Sequence, residues 1–510
     1  MALYSLLKIL TIFFLLLYFI KGNFELFGFI KSIKFISKKQ KNQNKKNNND
    51  LPFIYILLPV LREQKVIEET INNLLKINYP ASNYKIVAIT TEKEIFEKES
   101  NRNKLQNIAK KLSKGCKKNF FIENYLGFFP EDKLRDIHNR LNFKKYDYVL
   151  SEVKKEYNNF PTTIELLDAF KKKIDDNRFA VMHYPHTDGV MAHQLNYACE
   201  RLIENKNNLN NYICIYNADS KIDKNTLLEA GKLIKKKKEK KFVIQQSAIF
   251  LNNYKRLKNG MNKFFVYAAG LFQSYWTFSV EIPKILRQKN SIKNKNVKLA
   301  HCVGHGLFIK LGLLKELGFF PIKTFNEDLA FGFILSANRI PIYPLKSLEI
   351  ADTPETLSSL INQKKVWFYS YLEYYKARKT SLYLNSEKKL ANSLFLQGSF
   401  YGLTWLINSY LLFLPIVFGL IYKEYLYFYI AIFFLLIYNF FPYFILLKKI
   451  GKQNFVNNFK VGFSFGEKTI LSLFSVLIYF TDSIGPTLSI CENLIAKVTN
   501  KEIKKKKTER

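Results

Sequence analysis

An α/β domain flanked by transmembrane helices is the architecture this sequence predicts, and three observations predict it. Between residue 51 and about residue 380, short apolar runs alternate with helical patterns, as strands and helices do in an α/β sheet. Residues 3–20, "LYSLLKILTIFFLLLYFI", form an apolar stretch long enough to cross a bilayer, broken only by Lys8. After residue 390 the chain becomes apolar again in three further stretches.

The elements follow in order. No small-residue cleavage site follows the first stretch, so residues 1–22 read as a transmembrane anchor and not a removed signal peptide. Residues 23–50 are expected to be a basic linker. Its "KKQKNQNKKNNND" at 38–50 lies on the cytoplasmic side by the positive-inside rule and delivers the next domain there. In the domain at 51–380 the strands are "PFIYILLPV", "YKIVAIT", "RFAVMHY", "YICIYNAD" and "FVIQQSAIF", runs of the kind that buried parallel strands show. The first strand ends at Pro59, and the next helix is expected to open at Glu63, with Ile67, Ile71, Leu74 and Leu75 on one face, which completes a βαβ unit. Residues 93–177 read as a charged, mostly helical insertion whose lysines form a solvated face.

The C-terminal membrane segments at 390–490 comprise two full spans and a third interrupted by Gly485 and Pro486. With the linker inside, four full spans would put the basic tail at 491–510, which ends "KEIKKKKTER", on the outside, against its charge. One segment, the third, is therefore expected to be re-entrant or interfacial.

Composition narrows the class. The chain has 510 residues, 48% hydrophobic and 16% aromatic, too many for one simple core and rich for a soluble protein. Its 79 basic against 42 acidic residues give a net charge of +37, which suits a nucleic acid, a nucleotide or a phospholipid surface. Heavy use of lysine, asparagine and isoleucine makes compositional bias an equal reading of the same charge. The five cysteines, Cys116, Cys199, Cys214, Cys302 and Cys491, form no CxxC pair; that suits a reducing compartment and argues against a cysteine zinc site. No P-loop or HExxH pattern is present.

Three places carry candidate chemistry. The run "YICIYNADS" ends on Asp219 and a hydroxyl; a carboxylate there either holds a metal or phosphate or caps its own loop. In "TFNEDLAFGF", Glu327 and Asp328 stand in an apolar setting. Burying both would be costly without a purpose, while a helix start capped by Asn326 would favour the same letters. Gln363 and Trp367 are four apart, so on a helix they share a face. The tryptophan suits a sugar ring or, equally, an interfacial aromatic belt.

Four motifs then occur in order: "LPVLREQKVIEETINNLLKINYP", "NADS", "GHGLFIKLGLLKELGFFP" running into "NEDLAFG", and "QKKVW". Together, over residues 51–370, they resemble the membrane-bound, inverting family 2 glycosyltransferases, the group of cellulose, chitin and hyaluronan synthases and several glycolipid synthases. The resemblance implies a nucleotide-sugar-binding fold, GT-A-like and Rossmann-like, with the donor over the strand C-terminal ends. It implies donor contacts from Pro59, Glu63, Asn196 of "GVMAHQLNYACE", Asn217 and Asp219, and from Glu92 as the acid that recognises uracil. His193 stands where a lysine or alanine is common in the group.

At the group's aspartate-x-aspartate element this chain has Asn217 and Asp219. A divalent cation, magnesium or manganese, would find there one carboxylate and one neutral oxygen, a weaker site. Asp328 is the implied general base and Glu327 its acidic neighbour. Gly304, His305, Gly306, Gln363 and Trp367 fall on the acceptor side. The group's QxxRW motif departs here, with Val366 in place of arginine; Lys364 and Lys365 are the available substitutes, though they lack arginine's planar fork. The implied protein is a multi-pass membrane glycosyltransferase with a cytoplasmic catalytic domain. Its partners would be a nucleotide-sugar donor, membrane lipid and a lipid-linked or saccharide acceptor, and no nucleic acid is expected. Two rivals remain: a catalytically weak homologue acting as a membrane scaffold, suggested by Asn217 and Val366, and a membrane-tethered nucleic-acid binder, suggested by charge alone.

Overall fold

The computed structural model describes residues 2–38, 50–125, 128–255, 261–354, 356–451 and 462–499. Residues 39–49 of the expected linker and 500–510 of the tail lie outside them. The contact pattern divides the chain into two compact units: Phe53–Lys76 with Ala81–Asp219, and Met1–Pro52 with Ile77–Pro80 and Ser220–Arg510. The expected domain at 51–380 is thus shared between them.

The unit containing Phe53–Lys76 and Ala81–Asp219 is built on a parallel sheet of strands β1 (Ile54–Pro59), β2 (Tyr84–Thr91), β3 (Phe179–Tyr184) and β4 (Tyr212–Ile215), in the order β3-β2-β1-β4. Registers are regular: Ile54 pairs with Tyr84 on one side and Tyr212 on the other. Ile54, Ile56, Leu57, Leu58, Ile213 and Cys214 are fully buried. Strands covered on both faces have no room for alternation, which is why they read as continuous apolar runs. Between β2 and β3, six helices lie within Glu92–Ile174 among the described residues, and the apolar faces of the middle four, including Ile108, Leu112, Phe121, Leu134, Val149 and Val153, form a separate core.

One boundary differs from expectation. The helix after β1 begins at Ile67, not at Glu63. Arg62 is in the left-handed region (φ 56°), so the chain turns before it can wind. The Glu63 carbonyl accepts from the amides of Val66 and Ile67 and closes that turn.

The other unit holds β5 (Val243–Gln245), β6 (Ala248–Ile249), β7 (Leu307–Lys310), β8 (Ile342–Pro344) and β9 (Glu349–Ile350). Strand β5 pairs antiparallel with β7 and parallel with β8, and β6 pairs parallel with β9. Of these, β7 to β9 were hidden in the sequence, because two to four residues are too few to show a period.

Four helical segments of this unit are long and apolar enough to cross a membrane among the described residues: Ala2–Ser37, Lys388–Ile421, Tyr425–Ile450 and Phe465–Thr499. The first runs well past residue 22, through half of the expected linker. It continues because its second half has a face to bury: Phe29, Ile33 and Ile36 pack with Tyr267, Leu271, Phe278 and Ile282. A Cβ on Gly28 would meet the Ser279 carbonyl at 2.5 Å, so the backbones cross closely there. The last segment is helical at Phe465–Phe480, breaks at 481–483 and resumes at Ile484–Thr499.

Candidate functional site

At the C-terminal edge of the parallel sheet, Pro59 is the last residue of β1, and the Val60 amide donates to the Ile89 carbonyl. The loop that follows is fastened by Glu94. This buried carboxylate accepts from the Arg62 amide at 2.9 Å, the Gln64 side chain at 2.8 Å and the Thr163 amide at 2.8 Å. Glu63 donates its own amide to Thr163 Oγ1. A carboxylate with that many donors is a structural clamp, and the sequence offers only an acid in a charged helix.

Glu92 opens the helix Glu92–Arg102, and its carboxylate lies 2.9 Å from His183 Nε2 on β3, while His183 Nδ1 lies 3.0 Å from Thr90 Oγ1. Glu92 is thus already engaged by a histidine at the sheet edge. The helix Met191–Ile203 is pinned to the same edge by Gln194, which donates to the carbonyls of Val60 and Ile89. His193 Nδ1 accepts from the Val190 amide, so this histidine caps its helix, and Asn196 is half-buried one turn on.

Strand β4 ends in the turn that carries Asn217 and Asp219, both half-buried between the buried Tyr216, Ala218 and Ser220. Thr70, on the helix after β1, donates to the Ala218 carbonyl and fixes the turn. To a cation this turn offers one carboxylate and one carboxamide. No group of three or more His, Cys, Asp or Glu residues able to hold a metal occurs among the described residues. Such a donor set does not make an all-protein cage, but it fits magnesium or manganese bound chiefly through substrate phosphates and water.

The Asp328 side is built within the other unit. Asn326 precedes the helix Glu327–Ala337 in extended conformation, yet its side chain caps nothing. Instead it donates to the Val366 carbonyl at 2.9 Å and to Ser370 Oγ at 2.5 Å. This corrects the capping expectation, and it ties the triplet directly to the helix Leu357–Leu372 that carries Gln363 and Trp367. Glu327 is buried, 4% exposed, whereas Asp328 is half-exposed and accepts from the Leu329 amide. Of the two carboxylates, Asp328 is the one a substrate can reach. Trp367 is half-buried, while Gln363 is 4% exposed and its Oε1 is buried without a hydrogen-bond partner among the described residues.

Lys364 and Lys365, the available substitutes for the missing arginine, are both paired with carboxylates. Lys364 is 5% exposed, and its Nζ lies 2.9 Å from Asp482 Oδ1 and 4.6 Å from the centre of the Phe272 ring. Asp482 also accepts from Asn408 at 2.9 Å. Lys365 pairs with Glu492 at 3.0 Å, and Tyr369 donates to the same carboxylate. Both lysines fasten their helix to the last apolar segment.

The "GHG" loop is gripped from behind. The Gln245 side chain donates to the His305 carbonyl at 2.7 Å and accepts from the Val303 amide at 3.0 Å. Gly306 has φ 65°, and a Cβ there would come within 2.7 Å of Gln246, so no other residue fits. Gly304 is half-buried; His305 is buried, with Nδ1 2.8 Å from Glu349 Oε2. His305 was expected to face an acceptor, but its ring is turned inward. Beside it, Glu281 accepts from Ser247 Oγ at 2.5 Å. Burial pushes the Glu281 carboxyl up to about 7, against the smaller opposing pulls of Ser247 and His305.

A pH dependence of stability follows. Glu281 holds its proton in the folded chain where an unfolded carboxyl has released it, so stability falls as pH rises from about 4.5 to about 7. Glu281→Gln removes that slope. Its unfolding midpoint, measured against the original chain in detergent, is expected to gain from about pH 4.5 to about pH 7 and to level off above.

Comparison with known proteins matches residues 212–446 to the family described as "Glycosyl transferase family group 2". No curated protein matches the chain. Among solved structures, the chain is similar to the mannosyltransferase PcManGT from Pyrobaculum calidifontis in complex with GDP-Man and Mn2+. The TM-score is 0.45 and the identity 12%, over 97% of this chain and 100% of that one. It is also similar to S. aureus TarS 1-349 in complex with UDP-GlcNAc (TM-score 0.36, 12% identity, 89% and 93% covered) and with UDP (TM-score 0.35, 14% identity, 68% and 72% covered). The matched residues 212–446 include Asn217, Asp219, the "GHG" loop, Asp328, Gln363 and Trp367; over that segment, a little under half of the chain, the sequence matches glycosyltransferase family group 2.

Proposed function

We propose that the protein is an inverting glycosyltransferase of the membrane, moving a sugar from a nucleotide sugar to a lipid-linked or saccharide acceptor. The observation that carries this reading is the family segment at 212–446, which contains both acidic motifs and runs on into two of the apolar helices. In the reaction, an acceptor hydroxyl oxygen attacks the anomeric carbon while the bond to the nucleoside diphosphate breaks on the opposite face. Asp328, the reachable carboxylate of its pair, takes the hydroxyl proton as the new bond forms. Asp219 and Asn217 hold the donor's diphosphate end together with magnesium or manganese, which when bound would offset the negative charge on the leaving group. Pro59, Glu63, Glu92 and Asn196 serve the donor side. Trp367 offers its face to the acceptor sugar, and Gln363 and the "GHG" loop serve the acceptor side with it.

The basic residues at 38–50 favour a cytoplasmic catalytic domain, where nucleotide sugars are available. The break at 481–483, with Asp482 drawn to Lys364, favours a third C-terminal segment that does not cross as one straight span. Four candidate spans are few for a secretion channel and favour a lipid or short-saccharide acceptor over a long polymer.

The test is to supply the purified full-length chain in detergent with a panel of nucleotide sugars and magnesium or manganese, and to measure nucleoside diphosphate release. Release with one or two donors, increased by a lipid or saccharide acceptor, is the expected result. No release with any donor would favour the second reading, a catalytically weak homologue that acts as a scaffold. One observation supports that reading: Lys364 and Lys365 are both paired with carboxylates, which leaves them less available than a free arginine to a diphosphate.

A further inference from the structure

The helix that carries Asp328 lies directly on the segment that leads into the "GHG" loop. At Gly332 the contact is so close that a Cβ would come within 2.6 Å of the Cys302 amide nitrogen and 2.7 Å of the Ala300 carbonyl. One turn later, Ser336 Oγ lies 3.5 Å from the Ala300 amide nitrogen. Asp328 is one turn earlier than Gly332 and shares that face, on the side toward which the chain runs from Cys302 to His305. Its charge accordingly acts on both Cys302 and His305.

His305 is the buried basic group of this segment that is paired with a carboxylate; His301 is paired with the Tyr374 hydroxyl instead. His305 is 7% exposed, and Nδ1 is committed to Glu349, which is fully buried on β9. Glu349 is held in turn by backbone pairing, since its amide donates to the Ser247 carbonyl at 3.0 Å. The second ring nitrogen, Nε2, makes no hydrogen bond among the described residues. The titratable groups that act on the imidazole are Glu349 on β9, Glu281 on the helical turn at 277–281 and Asp328 on its helix. Phe250 covers it from the side with ring centres 6.5 Å apart. Burial opposes the protonated imidazole, but the Glu349 carboxylate at 2.8 Å is the largest of the pulls that outweigh it and raise His305 above its ordinary value; Glu281, which keeps its own proton up to about pH 7, adds little below that pH.

We propose that the buried Glu349–His305 pair is a positioning device for the base: it keeps a positive charge behind Asp328, so that the Asp328 carboxylate stays ionised at the pH at which it must accept a proton. The pair does not itself touch the substrate. Glu349 fixes the ring and its tautomer, and Gln245 and Gln246 fix the loop. The charge therefore sits at a set place relative to the helix that carries the base. This inference rests on the reading of Asp328 as the general base.

The experiment compares the pH dependence of kcat, and KM for the donor, in the full-length chain and in His305→Gln and Glu349→Gln. Glu349→Gln keeps the shape of the side chain, so it remains informative if His305→Gln does not fold. Thermal unfolding in detergent checks each variant. Either substitution removes the positive charge that faces Asp328. The acidic limb of the profile is expected to move up by about one pH unit, about a tenfold change in the acid dissociation constant, with KM for the donor little changed. A merely structural role would lower the unfolding midpoint or raise KM and leave the limb in place, and that result overturns the inference while Asp328 stays the base. Normal turnover in Asp328→Asn would instead strike the reading beneath it.

Discussion

Asp328→Asn is expected to lower sugar transfer by about a hundredfold to ten-thousandfold, with nucleotide-sugar affinity little changed. The asymmetry follows from when the group acts. A general base matters as the acceptor proton leaves, in the transition state, so its loss appears in kcat and not in donor binding. The substitution keeps the size of the side chain and an oxygen for the Leu329 amide, which Asp328 Oδ1 accepts at 2.7 Å, so the helix start should survive. Glu327→Gln is a useful companion. Glu327 is buried, and loss of transfer there should come with a lower unfolding midpoint. Initial rates beside equilibrium binding separate the cases, and near-normal rates in Asp328→Asn would mean that the base lies elsewhere.

The second large effect is predicted where the acceptor-side helix meets the last apolar segment. Lys364→Met leaves Asp482 buried and charged with only Asn408 beside it, and breaking a buried pair in this way typically costs about 3–5 kcal/mol. Lys364→Met together with Asp482→Leu removes both charges and should recover most of the loss, since an apolar replacement of a buried pair is often neutral or better. The expected order of unfolding midpoints in detergent is the original chain and the double variant together, with Lys364→Met well below. Transfer should fall with the single variant too, because Lys364 adjoins Gln363 and lies within one turn of Trp367 on the same helix. Equal midpoints for all three would show that the pair does not hold this helix in place.

These interactions also mark what the sequence could and could not convey. Strands β1, β2 and β4 were legible because each is a nearly continuous buried run, and such runs keep their character whatever surrounds them; β3, only partly buried, was legible from its apolar residues. Asp219 and Asp328 were legible because an acid in an apolar run is rare, whichever role it has. The pairings that define the acceptor side were not. His305 meets Glu349, 44 residues away, and Lys364 meets Asp482, more than a hundred residues away; no local period or cap signals such contacts. Without them, Lys364 and Lys365 look like free cations, and His305 looks like a surface residue between two glycines. Glu281 in "FSVEIPKIL" and Glu349 in "KSLEIAD" did carry a signal, a single acid amid apolar neighbours, and that same pattern had singled out Asp219. The end of the first helix was misplaced for a related reason: residues 23–37 mix lysines with apolar residues, and only the partner packed against Phe29 and Ile33 shows that they continue the helix.

Donor binding at equilibrium is the most direct test of the role given to the β4 turn. The best nucleotide sugar from the panel is titrated into the full-length chain and into Asp219→Asn, each with and without manganese. Loss of the only carboxylate in the "NADS" turn should weaken donor binding by about ten- to a hundredfold, the usual worth of one charge-assisted contact. It should also abolish the difference that manganese makes. Donor affinity and metal response that are the same in both proteins would contradict the assignment of this turn to the donor diphosphate.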